Sequence, residues 1–148
     1  MTHHNDPLAH AEQTTRQWLK VVAEQLGTED RIYTHRVLRA WLHLVRDRLT
    51  VDGAVHLAAQ LPEFLRGVYF EGWVPSKAPI RYDTAAFIAL FAYEGGISPA
   101  DVPATTGAIT AGLDRLFSPG QLDHAFAQMP AGLRSELVGI SPAMAAVP

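Results

Sequence analysis

The chain of 148 residues contains no cysteine. This excludes disulfides, thiolate metal sites and cysteine nucleophiles, and the expectation is a cytoplasmic protein in a reducing compartment. Long apolar runs are also missing. The longest, Ala85 to Tyr93, falls far short of the roughly 20 residues that span a bilayer, so no membrane insertion is expected. Met1 to Asp6 has neither the basic start nor the apolar core of a signal peptide. Positive charge is not in excess. Twelve Lys and Arg stand against fifteen Asp and Glu, a net charge of −3, which disfavours generic nucleic-acid binding. Catalytic signatures are lacking too: there is no Gly-rich phosphate loop, no His-Glu-x-x-His and no nucleophile elbow. No cofactor, metal or catalytic residue is assigned.

What is present reads as an all-α protein. Hydrophobic residues make up 48% and charged residues 18%, the mix of a folded domain that needs no staples. Asp6-Pro7 predicts a capped helix start, with Leu8, Ala11, Thr15, Trp18, Leu19, Val22 and Leu26 at helical spacing before Gly27. A second helix is expected over 29–49, with Thr28 as its cap. Its Leu38, Trp41, Leu42, Val45 and Leu49 fall within about 100° of arc. Arg36, Arg39, His43 and Arg46 line much of the other side and are expected to face water or a partner. Short helices follow over 53–60 and 62–70, with Leu61-Pro62 as the bend between them. Gly72, Pro75, Ser76 and Pro79 mark the main loop. Helices then begin near Asp83, at Ser98 or Pro103, at Ser118-Pro119-Gly120 and at Pro130.

An internal repeat organises these elements. Asp47-Arg48-Leu49 recurs as Asp114-Arg115-Leu116, His56 as His124, Gln60-Leu61-Pro62 as Gln128-Met129-Pro130, and Leu65-Arg66 as Leu133-Arg134. The expectation is one domain over 1–148, in which two tandem pseudo-repeats, 14–70 and 83–138, pack as a bundle. Residues 71–82 would join them and 139–148 would form a tail. The copies differ. Leu38, Trp41 and Val45 are matched by Thr105, Ala108 and Gly112, so the second copy should allow closer helix approach or leave a groove. Basic character on this helix belongs to the first copy alone.

The stretches Leu38-Arg39-Ala40-Trp41-Leu42-His43, Arg46-Asp47-Arg48-Leu49 and Ala54 to Pro62, with Leu65-Arg66-Gly67-Val68-Tyr69-Phe70-Glu71-Gly72-Trp73-Val74-Pro75, closely resemble the bacterial domain-of-unknown-function family number 2267. The resemblance covers about residues 14–138. The second copy departs from it: Met129 replaces the leucine before Pro130, and no Tyr-x-Glu-Gly-Trp segment follows Arg134. The resemblance implies an all-helical bacterial protein, loosely associated with stress. It supplies no reaction and no site.

Several groups are candidates, each with a plainer alternative. His56, Pro62 and Arg66, with His124, Pro130 and Arg134, form the repeat signature. Paired histidines can serve acid–base or metal chemistry, but packing explains them more simply. Arg66 can return to a nearby carbonyl, or hold an anion. His3, His4, Asp6 and His10 offer only an adventitious metal site at a polar terminus. The row of Arg36, Arg39 and Arg46 can contact an acidic partner or stay solvated. Tyr69, Phe70, Glu71 and Trp73 are the most informative cluster, as packing between the copies or as a binding surface.

These readings add up to a non-enzymatic helical module that binds an unidentified protein or itself. One rival is a small-molecule binder or enzyme with a pocket between the repeats, lined by His56, His124 or Arg66. The other is a nucleic-acid binder using the basic face of the first repeat.

Overall fold

Asp6 accepts a 2.9 Å hydrogen bond from the Leu8 amide, and Pro7 occupies the first helical position, so the chain enters its first helix as the sequence dictates. The computed structural model describes residues 6–139. His3, His4 and all of the expected tail except Gly139 lie outside them. The described residues form eight α-helices and no strand, the all-α bundle expected. They are α1 (Pro7–Leu26), α2 (Arg31–Arg48), α3 (Val51–Ala58), α4 (Glu63–Phe70), α5 (Thr84–Gly95), α6 (Val102–Leu116), α7 (Gln121–Phe126) and α8 (Ala131–Leu137). Short 3₁₀ turns cover Pro75–Lys77 and Pro99–Asp101. No helix among the described residues is long and apolar enough to cross a membrane.

Cap chemistry sets the boundaries. α2 starts two residues later than its pattern predicts. The Asp30 carboxylate takes the Ile32 and Tyr33 amides, each at 3.0 Å, while the expected cap Thr28 accepts only the Asp30 amide. A charged acceptor nearer the helix wins. Thr50 caps α3 through the Gly53 amide at 3.1 Å. Pro62 and Pro130 are the N-cap residues of α4 and α8, so both bends stand where the sequence puts them. Gly27 and Gly96 end α1 and α5 in the left-handed conformation that glycine adopts without steric cost.

α2 is the central element, packed against α1, α4, α5 and α6. Trp41, Val37 and Leu42 on it are fully buried. The small residues of α6 bring helices together rather than opening a groove. A β-carbon on Gly112 would stand 3.2 Å from Val22 Cα of α1, and one on Gly107 only 2.8 Å from Gly139 Cα. Thr106 and Thr110 of α6 donate to the Glu136 and Leu137 carbonyls of α8 at 2.9 and 2.6 Å. The Trp41 indole donates to Thr110 Oγ1 at 3.1 Å, tying α2 to the same seam. One predicted apolar position fails: Leu8, in the first turn of α1, is 81% exposed.

The long loop is fastened to the end of α2. The Ile80 amide donates to the Asp47 carbonyl at 2.7 Å, and the Tyr82 hydroxyl donates to the Leu44 carbonyl.

Candidate functional site

Every helix leaves its last carbonyls without intrahelical donors. In this fold the basic residues meet that demand. Arg36 Nε donates to Gly95 O at the end of α5, at 2.7 Å. His43 Nε2 lies 2.6 Å from Val68 O in the last turn of α4. A carbonyl can only accept, so Nε2 carries the hydrogen. Arg46 Nη1 donates to Tyr69 O at 2.7 Å and to Glu71 O at 2.8 Å, while its Nε and Nη2 grip Asp47 Oδ1 at 2.9 and 2.8 Å. Arg66 does the same for α3, donating to Ala58 O at 3.1 Å and Leu61 O at 2.7 Å.

Arg46 does not face water or a partner as expected: it is only 4% exposed. Half-buried His43 and exposed Arg36 each place one nitrogen on a helix end. Positive charge also suits a helix C-terminus electrostatically. Burial keeps the His43 imidazole below its ordinary range; the Val68 hydrogen bond opposes this, and Arg46 and Arg39 add to it. Arg36 remains exposed and Arg39 partly so, the latter 4.0 Å from Glu71 in a long, solvated ion pair.

The aromatic cluster divides into inner and outer members. Tyr69 is completely buried and its hydroxyl donates to Ala54 O of α3 at 2.8 Å, so it is not available to a partner. Its phenol is held well above the ordinary range by burial. Phe70 meets Tyr69 edge-on at 5.2 Å and lies 5.4 Å from Trp73. Phe70 and Trp73 are half-buried, and Glu71 between them is exposed. The Trp73 Nε1 hydrogen is shut away from solvent with no acceptor among the described residues, and Val74 beside it is 46% exposed.

His56 and His124 do meet. Their ring centres are 5.1 Å apart with the planes at 54°, where α3 and α7 touch. Both are exposed. Among the described residues no group of three or more His, Cys, Asp or Glu is placed to hold a metal. His56 Nε2 is 2.8 Å from Gln121 Oε1. Two further bonds flank the pair: Thr50 Oγ1 to Gln128 Oε1 at 3.2 Å, and the Ser118 amide to Gln60 Oε1 at 2.9 Å. Arg134, the counterpart of Arg66, is exposed and borders a shallow cavity with Asp123 and Ser135.

Two buried polar groups gave no signal in the sequence. Glu136 is fully buried, neither carboxylate oxygen has a hydrogen-bond partner among the described residues, and burial raises its proton affinity. Arg48 is 9% exposed with its Nε unpartnered. Both lie on helical positions that periodicity alone cannot mark as interior.

A cavity of about 790 Å³ is an open groove between α1 and α2 whose walls include Leu19, Lys20, Ala23 and Thr34. It lies within the first half of the chain and is not lined by His56, His124 or Arg66. Two smaller cavities border α6, α7 and α8 and are likewise not lined by them.

Compared with known proteins, the chain matches over residues 15–135 the model of a family described as "Uncharacterized conserved protein (DUF2267)". No curated protein matches it.

Proposed function

Because the chain belongs to DUF2267, a family whose description assigns no activity, we propose from its geometry that it is a non-enzymatic interaction module. Its contact surface is the C-terminal end of α4 and the turn that follows. The observation that carries this reading is the pair of Trp73 and Phe70, half-buried aromatic rings 5.4 Å apart beside exposed Val74. The N–H itself is shut away from solvent, so a partner would cover the open parts of the two rings and Val74, apolar surface whose burial favours association. Tryptophan is also the residue type most enriched among interface anchors. Exposed Val74 and Glu71 and partly exposed Arg39 would form the rim.

We also read the chain as a duplicated helical unit, residues 14–70 and 83–138. The bonds Thr50 to Gln128 and Ser118 to Gln60 support this, since one becomes the other under the 68-residue offset that relates His56 to His124.

The test compares wild-type chain with Trp73→Ala and Phe70→Ser as baits for affinity capture from the native organism. Sedimentation of each up to high micromolar concentration covers self-association. A partner, or a second copy, that wild type holds and both variants lose by tenfold or more supports the surface. Identical binding by all three chains, each with intact helical circular dichroism, rules it out.

A further inference from the structure

The histidine rings are spaced as a metal clip requires. An ion at about 2.0–2.1 Å from one nitrogen of each imidazole sits about 3.2 Å from each ring centre, and a tetrahedral angle at the ion then sets the centres about 5.2 Å apart. The observed separation is 5.1 Å.

The surroundings prepare the pair in two ways. Gln121 Oε1 is an acceptor only, so His56 Nε2, 2.8 Å away, must carry the hydrogen. The lone pair of His56 therefore resides on Nδ1. A ligating histidine that donates its other N–H to a fixed acceptor is the usual outer-shell arrangement of metal sites, and it fixes ring orientation and raises ligand basicity. The helices that carry the rings are also clamped. The Thr50–Gln128 and Ser118–Gln60 bonds hold α3 and α7 together on either side of the pair. Both imidazoles stand at the surface, where an ion can reach them.

From this juxtaposition we propose that His56 Nδ1 and one nitrogen of His124 bind a divalent transition metal ion. Two imidazoles suit zinc, copper(II) or nickel rather than calcium or magnesium, which take oxygen ligands. Two protein nitrogens leave the remaining coordination positions to water or to a donor on another molecule. The site stands independently of the Trp73 surface.

The test uses zinc alone as the probe, on the full chain carrying His3→Ala, His4→Ala and His10→Ala so that the terminal histidines do not compete. Calorimetry should show one zinc ion per chain, and the ring protons of His56 and His124 should be the imidazole signals that shift. His56→Ala and His124→Ala should each weaken binding at least tenfold. Gln121→Leu, which removes the acceptor without touching a ligand, should weaken it by about tenfold. All three positions are at or near the surface, and circular dichroism verifies the fold. Unchanged affinity in any of the three variants overturns the site as argued, as does the absence of saturable zinc binding.

Discussion

The Arg46 guanidinium and the Tyr69 carbonyl meet at 2.7 Å inside the protein, where a cation of α2 closes the end of α4. The same nitrogen holds Glu71 O, and the rest of the fork holds Asp47. Arg46→Met should therefore strand two carbonyls and a carboxylate. Removing one side of such a buried network costs about 3–5 kcal/mol. Urea denaturation should show that loss, and Arg46→Lys should recover only part of it, since an ammonium cannot reproduce the fork.

Tyr69 acts through stability rather than contact. Tyr69→Phe deletes the bond to Ala54 O and should cost about 1 kcal/mol. Tyr69→Ala should cost about 3–5 kcal/mol by opening a cavity. Any partner held by wild type should be held equally well by Tyr69→Phe, measured well below its unfolding midpoint.

Gly112 and Gly67 should respond in opposite directions. A β-carbon at Gly112 meets the backbone of Val22, so Gly112→Val should force α1 outward and lose about 1–3 kcal/mol. Gly67 lies within α4 and faces open space, so Gly67→Ala should gain about 0.5–1 kcal/mol from helix propensity and a less flexible unfolded chain. Thermal midpoints of the two variants should fall on either side of wild type.

Stability should depend on pH through two buried groups of opposite sign. His43 has a folded pKa below its unfolded value near 6.5. Its contribution is complete above pH 6.5 and is lost as pH falls below it, because the unfolded chain binds the proton first. Glu136 has a folded pKa above its unfolded value near 4.5. Its contribution is complete below pH 4.5 and is lost as pH rises through the folded value. His43→Gln should flatten the decline between pH 6.5 and 5, and Glu136→Gln should raise stability at neutral pH relative to wild type. Urea titrations across pH 4–8 check both.

Trp73→Phe separates the indole hydrogen from the ring. If a partner covers the open part of the ring, the phenylalanine variant should bind more tightly than Trp73→Ala and close to wild type. The folded stability of the two aromatic forms should differ by no more than about 1 kcal/mol, because the hydrogen has no bond to lose among the described residues. Titration of an identified partner, alongside urea curves, reads both quantities.

The helices were largely legible in the sequence because their ends carry strong local signals. Asp6, Thr50, Asp83 and the two prolines act on the backbone within a few residues of themselves. The site was less legible because its logic is not local. Amphipathic patterning sorts side chains by hydrophobicity, and it assigned Arg46 to the outside. It has no means of registering that α4 delivers bare carbonyls to that spot from 23 residues away. For Tyr69 packing and binding both stayed open for the same reason, since the Ala54 carbonyl that receives its hydroxyl lies on a different helix. Arg66 was read more nearly correctly because its acceptors, Ala58 and Leu61, are close in sequence. Gln121 gave no signal at all: its part is defined only by the ring that meets it.

The bond from Thr50 to Gln128 joins residues 78 positions apart, and the ring contact between His56 and His124 spans nearly as much chain. Such contacts cannot help a folding chain until most of it has already been placed, because the entropy of closing so long a loop must be met first. By that argument the seam of α2 and α6, where Trp41 meets Thr110 across 69 residues, should close late, as should the junction of α3 and α7. Anything that grips both helices there adds little to the speed of folding and acts mainly as a brake on unfolding.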